Sequence, residues 1–164
     1  MENKLAISQE QLALAQEEDT MRDMFLVFTI DGQDYALEIR YVIEIVEIMP
    51  ITGVPFLPAC MKGIINLRGT IVPIMDVRLR FGLEEQTYTD HTCIIVVNQG
   101  NLTLGMIVDS VQEVTTFGSE QRMAPPSSGT GDATYYIKGV CNTNDNIRLL
   151  LDCEKLMEIA SKDR

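Results

Sequence analysis

The chain has 164 residues, 46% of them hydrophobic, and its 24 acidic and 13 basic side chains give a formal net charge of −11. This hydrophobic content excludes an intrinsically disordered protein and predicts one domain, or two small domains that share a core. The negative charge argues against partners such as nucleic-acid backbones and anionic lipids, because these would be repelled.

The first part of the chain changes from a polar tail to strands. Residues 1–23 are rich in Glu, Gln and Ala and carry no wide apolar stripe at helical spacing, so a flexible N-terminal tail is expected. Residues 24–30 are apolar on both alternating faces, which predicts a strand covered on both sides. A turn precedes an alternating strand at 35–39, and an apolar strand follows at 42–49.

The segment 61–82 carries the most specific pattern in the chain. Two apolar strands flank a tight turn at Arg68 and Gly69, and a short helix near 76–81 follows. Asp76 is placed to cap this helix, because its carboxylate can accept the free backbone N–H groups of the first turn. Arg68 is a long cation at a hairpin tip between apolar strands, where local folding requires no charge.

The second half of the chain repeats the hairpin pattern. Its predicted elements, in chain order, are strands at 92–97, 102–108, 109–117, 135–141 and 147–151 and a helix capped by Asp152 near 152–160. Short strands, repeated turns and only two short helices indicate an all-β protein of small barrels. Two half-chains of similar content place the barrels at roughly 24–86 and 87–157. The two-sided first strand suggests possible strand exchange between them, and residues 158–164 are expected to form a C-terminal tail.

The chain lacks the residue patterns typical of catalysis. His91 is the sole histidine and no motif places a nucleophile beside it, which favours an exposed histidine at the start of a strand. No Gly-rich phosphate-binding motif is present. A carboxylate pair drawn from Glu38, Glu44 and Glu47 is a further possibility, but a solvated acidic face is favoured over it. A non-catalytic binding protein without a cofactor is therefore predicted.

Metal binding and membrane insertion are also disfavoured. The four cysteines contain no Cys-x-x-Cys pair, so buried reduced thiols are favoured over a zinc site. They are Cys60, Cys93, Cys141 and Cys153. No apolar run approaches the roughly 20 residues of a membrane-spanning helix, and the N-terminus lacks the pattern of a signal peptide. A cytoplasmic protein without direct membrane insertion is expected.

Two charges lie in apolar surroundings, Glu44 within the strand at 42–49 and Arg68 at the hairpin tip. In one interpretation they pair with each other and fix the angle between two hairpins. In the other, one or both project toward a partner protein, since arginine is enriched at interfaces as well as in buried ion pairs. Both interpretations can hold at once.

These motifs resemble the CheW family of coupling proteins in bacterial chemotaxis, across about residues 24–157. The most specific part is an Asn-Leu-Arg-Gly turn at 66–69 followed by Pro73 and Asp76. The matching segments, in chain order, are 25–28, 35–39, 42–45, 54–58, 62–78, 105–109, Val111, Val114 and 150–156. Neither kinase domains nor a receiver domain fits within 164 residues, so the resemblance is to the stand-alone adaptor.

The resemblance implies two SH3-like five-stranded barrels packed on each other, and no catalytic activity. Members of the family bridge the cytoplasmic tip of chemoreceptors to the regulatory domain of the CheA histidine kinase. Barrel edges are expected to bind the homologous domain of the kinase, and a groove between the barrels to accept the helical hairpin of the receptor. The chain would then associate with membrane-bound receptor arrays through protein contacts. The positions expected to influence these contacts are Ile39, Val42, Glu44, Arg68 and Gly105.

The alternative is a small β-barrel that binds nucleic acid. Such a barrel requires exposed aromatic residues interleaved with Lys and Arg. The chain has no Trp, and Tyr135 and Tyr136 lie beside only Lys138. The net charge of −11 further disfavours this alternative.

Overall fold

Eleven β-strands in two mixed sheets form most of the described part of the chain. The structure, a computed structural model, describes residues 9–10, 12, 23–125, 132–143 and 145–158. The strands are β1 Met24–Ile30, β2 Gln33–Glu38, β3 Val42–Glu47, β4 Met61–Leu67, β5 Thr70–Asp76, β6 Cys93–Gln99, β7 Leu102–Val108, β8 Ser110–Thr116, β9 Arg122–Met123, β10 Ile137–Thr143 and β11 Asn146–Leu151. Short helices span Val77–Arg80, Asp132–Tyr135 and Cys153–Leu156, and 3-10 turns span Ile39–Tyr41 and Ser119–Gln121.

Each sheet contains one parallel strand pair, so the strand order departs from the chain order. The first sheet has the order β8-β1-β2-β11-β10-β9, and the second has the order β3-β6-β7-β5-β4. In the first, β11 runs parallel to β2, with Leu149 opposite Tyr35. In the second, β5 runs parallel to β7, with Ile74 opposite Gly105. The predicted all-β class of two SH3-like barrels with short helices is confirmed.

The division of the chain between the sheets differs from the predicted halves at 24–86 and 87–157. The second sheet uses strands from 42–108, whereas the first combines strands from 24–38 with strands from 110–151. Similar hairpin content in two half-chains does not specify which strands pair. The boundary between the two sheets depends on that pairing, so it could not be placed from hairpin content. The parallel contact joins β11, the last strand, to β2, the second strand. The first sheet also has a sixth strand, the two-residue β9.

The sequence signals for helix caps are confirmed. Asp76 precedes the helix Val77–Arg80, and its Oδ1 accepts a hydrogen bond from the backbone N–H of Arg78 at 3.0 Å. Asp152 precedes the helix Cys153–Leu156, and its Oδ1 accepts from the backbone N–H of Lys155 at 3.1 Å. Each carboxylate satisfies a backbone donor that the helix itself cannot pair.

The predicted tails at 1–23 and 158–164 lie mostly outside the described residues. The residues of these segments that the structure describes are Gln9, Glu10, Leu12, Asp23 and Glu158. Leu12 is helical and only 1% exposed, and it belongs to the largest hydrophobic cluster of the protein. This one position is therefore packed against the body of the fold.

Three hydrophobic clusters cover both faces of both sheets. The largest contains alternate residues of the two sheets, such as Leu26 and Phe28 of β1 with Ile95 and Val97 of β6, so it lies between them. We call it the inter-sheet core. The opposite faces carry two smaller clusters, which include Phe25 and Val27 of β1 in one and Ile94 and Val96 of β6 in the other. This arrangement explains why β1 is apolar on both alternating faces.

All four cysteines are free and buried, as predicted. Burial raises the pKa of Cys93 to about 12 and the pKa of Cys153 to about 12. Both thiols therefore stay protonated at neutral pH, and the thiolate is the reactive form of cysteine. Cys60, Cys93 and Cys153 pack as small apolar groups within the inter-sheet core, and Cys141 packs in the cluster that contains Phe25 and Val27.

A buried arginine ties the two sheets together. Arg78 is 6% exposed, and its Nη1 lies 2.7 Å from Asp109 Oδ2 while its Nη2 lies 3.0 Å from Asp31 Oδ1. Its Nε donates to the carbonyl oxygen of Glu84 at 3.0 Å. Asp31 belongs to the turn between β1 and β2, and Asp109 lies where the chain passes from β7 to β8. The helix that carries Arg78 follows β5 of the second sheet. Its guanidinium therefore joins that sheet to the β1–β2 turn of the first sheet and to the connection between β7 and β8.

Replacing Arg78 by Ala should destabilise the fold by about 1–3 kcal/mol, because Asp31, Asp109 and the Glu84 carbonyl lose the donor that they share. Arg40→Ala is the matched control, since Arg40 pairs with Glu38 through a side chain that is 59% exposed. That variant should change the stability by less than about 0.5 kcal/mol. Urea unfolding followed by circular dichroism measures both, and equal losses would contradict the assigned role of Arg78.

Candidate functional site

The hairpin between β4 and β5 holds Arg68 at its tip. Arg68 and Gly69 both have positive φ, 51° and 91°, as required at the centre of a type I′ turn. Asn66 Oδ1 accepts a hydrogen bond from the backbone N–H of Gly69 at 2.8 Å and closes the turn. The predicted tight turn is therefore confirmed, and it leaves the Arg68 side chain 68% exposed.

Arg68 and Glu44 form an ion pair, Nη2 to Oε1, which answers the question that the sequence left open. Glu44 lies on β3, at one edge of the second sheet, and the β4–β5 hairpin lies at the opposite edge. Contact between opposite edges requires the sheet to curl toward a barrel. The Glu44 side chain is 17% exposed, so the carboxylate is largely covered while much of the guanidinium faces solvent. The pairing interpretation is therefore confirmed, and presentation of Arg68 to a partner stays a prediction.

A cavity of about 280 Å³ opens beside this ion pair. Its lining combines apolar side chains, threonines and the charged pair from five strands and one turn: Ile43, Glu44, Leu67, Arg68, Thr70, Val72, Val96 and Thr103. The cavity opens onto the cluster on the outer face of the second sheet, to which Val72 and Val96 belong. Its size is small for a drug-sized ligand and suits an apolar side chain of another protein.

The surroundings of the cavity resemble the centre of a protein interface. Ile43, at the cavity, is 47% exposed, and Ile71, on the adjacent hairpin, is 57% exposed. Grouped exposed apolar residues mark interaction surfaces, and arginine is enriched in such surfaces. Neither isoleucine was among the predicted site residues. Ile71 is adjacent to the buried Val72 in β5. Because neighbouring strand residues point to opposite faces, the sequence indicates that a buried Val72 leaves Ile71 on the other face.

The predicted site residues divide into two groups. Glu44 and Arg68 line the cavity. Ile39 and Val42 are 0% and 2% exposed and belong to the inter-sheet core. Gly105 is buried in β7, where an added Cβ would lie 2.5 Å from Ile74 Cδ1. The three buried residues can influence a partner only through the position of the surface that they support.

A second cavity, of about 120 Å³, is lined by polar groups that already serve the fold. Asp76 caps a helix, Arg78 joins the sheets, and the Tyr88 hydroxyl donates to Asp76 Oδ2 at 3.3 Å. Burial raises the pKa of Asp76 above its usual value, since the charged carboxylate is desolvated there. We assign this cavity no binding role.

The described residues contain no group of three or more His, Cys, Asp or Glu side chains that could hold a metal ion. His91 is exposed before β6. In the same part of the chain no helix has the length and apolar character needed to cross a membrane.

Comparisons with known proteins agree on one family. A family model described as a CheW-like domain matches residues 24–161. Chemotaxis protein CheW of Klebsiella aerogenes is 34% identical over 139 residues, covering 85% of this chain and 84% of the relative. Chemotaxis protein CheW of Treponema pallidum is 31% identical over 135 residues, covering 80% and 79%. The solved structure of the scaffolding protein TtCheW from Thermoanaerobacter tengcongensis is similar with a TM-score of 0.79 and 32% identity, covering 87% of this chain and 97% of that one.

A double-mutant cycle on Glu44→Ala and Arg68→Ala measures the ion pair in the folded protein. The expected coupling energy is about 0.2–1 kcal/mol, because Arg68 is mostly exposed and solvent screens the interaction. Chemical denaturation of the four proteins provides the values. A coupling energy of zero would show that the pair does not hold the edges of the second sheet together.

Gly105→Ala should cost about 1–3 kcal/mol, because the new methyl group enters a packed contact with Ile74 and Ile94. Gly53→Ala is the control, since a Cβ there meets no atom within 4 Å. The control should be close to neutral in the same denaturation experiment. An equally neutral Gly105→Ala would show that this position tolerates a side chain. The close packing of Gly105 would then not be what supports β7 behind the cavity.

Proposed function

The chain belongs to the CheW family of chemotaxis scaffold proteins, and from this premise we propose that it couples chemoreceptors to the CheA histidine kinase. The proposed partners are the cytoplasmic tip of the receptors and the regulatory domain of the kinase. The observation that carries the proposal is the cavity at Glu44 and Arg68, an apolar opening with a partly exposed cation on its rim. An adaptor needs such a surface and no reactive group.

We propose that the protein has no enzymatic activity. The groups that would carry chemistry have structural roles: Asp76 caps a helix, Arg78 joins the sheets, and Cys93 and Cys153 are buried thiols. His91 is exposed and lies apart from the candidate site residues in the chain. This distribution supports a protein that acts by contact alone.

The chemistry of the cavity defines what a partner must bring. An apolar side chain would enter beside Ile43 and Val72 and remove Ile43, which is 47% exposed, from water. Arg68 uses Nη2 for Glu44, which leaves other guanidinium donors for a carboxylate or a backbone carbonyl of the partner. Such a contact is small compared with the ~1,200 Å² of a stable pairwise interface, so several of them would combine through avidity in an array.

This proposal places the protein in the cytoplasm, associated with receptor arrays through protein contacts alone. The alternative of a nucleic-acid-binding barrel gains no support from the fold. Phe56 is fully exposed, but it lies in the segment 48–61, which contains no Lys or Arg to interleave with it.

Ile43→Asp tests the proposed docking site. A charge at the cavity mouth should weaken binding to at least one partner about tenfold or more, because docking would desolvate the carboxylate and the apolar contact of Ile43 would be lost. Ile147→Asp is the matched control, since Ile147 is 55% exposed and lies on β11 of the first sheet. Calorimetric titration with a receptor-tip fragment and with the CheA regulatory domain measures the affinities.

Receptor-stimulated phosphorylation by the kinase provides the second readout for the same proteins. Ile43→Asp should reduce it, whereas Ile147→Asp should behave as the unmodified chain. Equal effects of the two substitutions, or no effect of Ile43→Asp on either partner, would refute docking at this cavity.

A further inference from the structure

Two cations of the described chain have no acidic partner, and both lie against one pair of tyrosines. Every other described lysine and arginine side chain forms an ion pair with a carboxylate. The exceptions are Arg80 and Lys155. Arg80 Cζ lies 4.9 Å from the ring centroid of Tyr136, and Lys155 Nζ lies 4.6 Å from that of Tyr135. In a chain with 24 acidic and 13 basic side chains, an unpaired cation requires an explanation.

The tyrosine pair lies where the two sheets meet. Tyr135 ends a short helix, Tyr136 precedes β10 of the first sheet, and their rings meet edge to face with centroids 5.1 Å apart. Tyr136 also stacks at 5.8 Å on Phe81, which follows the helix after β5 of the second sheet. Tyr136 is 5% exposed and belongs to the inter-sheet core, whereas Tyr135 is 49% exposed. Arg80 therefore lies at the seam between the sheets, beside an aromatic ring that a partner can reach.

The guanidinium of Arg80 carries donors that no described group accepts. Its Nε is the one buried side-chain nitrogen or oxygen among the described residues without a hydrogen-bond partner. Its terminal nitrogens are not buried, and no described group accepts a hydrogen bond from them. The neighbouring Cys60 thiol is only a weak acceptor. Burial raises the pKa of Cys60, so this thiol stays protonated at neutral pH and supplies no negative charge.

A second arginine of the same fold shows what Arg80 lacks. Arg40 Cζ lies 4.8 Å from the ring centroid of Tyr41, and Arg40 Nη2 lies 3.4 Å from Glu38 Oε2. A ring face attracts the cation but uses none of its planar N–H donors, which match the oxygens of a carboxylate. Arg40 thus has both a ring and a carboxylate, whereas Arg80 has the ring alone.

The carboxylate that the chain itself brings to the tyrosine pair does not complete this arrangement. Glu158 Oε1 accepts a hydrogen bond from the Tyr135 hydroxyl at 3.0 Å. Glu158 forms no ion pair with Arg80, although both are described. The terminal nitrogens of Arg80 are therefore left for an acidic group from outside the described chain.

We propose that Arg80 binds the carboxylate of an aspartate or glutamate side chain on a partner protein. The terminal nitrogens donate to the carboxylate oxygens, and the exposed Tyr135 ring packs against the carbon atoms of the same side chain. Charge complementarity selects this occupant, because an acidic group is what the unpaired guanidinium lacks. The inference rests on the proposed function and adds to it a contact separate from the cavity beside Glu44 and Arg68.

Three full-length variants test the proposal. Arg80→Gln removes the charge and the planar set of donors, and Arg80→Lys keeps the charge alone. Arg40→Gln is the matched control, since Arg40 lies over a tyrosine ring at nearly the same distance but already has its carboxylate. Calorimetric titration with a receptor-tip fragment and with the CheA regulatory domain, at low and at high ionic strength, gives the affinities. Urea unfolding of each free protein measures its stability.

Arg80→Gln should weaken binding to at least one partner about tenfold at low ionic strength, because a charge-assisted hydrogen bond is lost. The loss should shrink at high ionic strength, since salt screens the attraction between partly exposed charges. Arg80→Lys should show a smaller loss, and Arg40→Gln should bind as the unmodified chain does. Arg80→Lys also keeps the test decisive if Arg80→Gln perturbs folding, because unchanged affinity in that variant would then overturn the inference.

Other outcomes overturn the inference in distinguishable ways. Unchanged affinities in Arg80→Gln, or equal losses in Arg80→Gln and Arg40→Gln, would show that no carboxylate docks at Arg80. Lower stability with unchanged affinity would give Arg80 a structural role alone. Self-association of the unmodified chain that Arg80→Gln abolishes, with unchanged partner affinities, would make a second copy the occupant. In each case the unmodified chain still binds its partners and the proposed function stands. If the unmodified chain binds neither partner, the proposed function fails and the inference fails with it.

Discussion

The packing of the two sheets against each other is the constraint on which the other features of this protein depend. Alternate residues of β1 and β6 point into the inter-sheet core, while their neighbours point into separate clusters on the opposite faces. A sheet that is apolar on both faces must be covered on both, because exposed apolar area is unfavourable in water. Neither sheet of this chain meets that requirement without the other. The two form one cooperative unit, with Arg78 as an additional polar link.

This constraint fixes the place of the candidate site. Burial of Val42 and Ile45 in the inter-sheet core anchors β3, which lies at the edge of the second sheet. The anchored strand presents Glu44 to Arg68, and the β4–β5 turn determines where Arg68 stands. The cavity beside them is thus lined by both edges of one sheet and by the strands between those edges. The core behind the cavity stabilises its strands more than the exposed ion pair does, since such a pair contributes about 0–1 kcal/mol.

Short-range features could be predicted from the sequence, because a few neighbouring residues determine them. The Arg68–Gly69 turn and the caps at Asp76 and Asp152 are examples. The assignment of strands to sheets could not, since β2 and β11 are distant in sequence and parallel pairing has no local signal. The same limit applies to the site. Glu44 and Arg68 stood out as charges, whereas the burial of Gly105 depends on long-range packing.

The central claim is that a partner docks at the cavity beside Glu44 and Arg68. The most direct test is deuterium exchange of the full-length chain, alone and saturated with a receptor-tip fragment or with the CheA regulatory domain. We predict that at least one complex protects backbone amides at residues 43–44 and 67–72, the strand and turn that line the cavity. Protection confined to the first sheet in both complexes, with these residues unchanged, would contradict the claim.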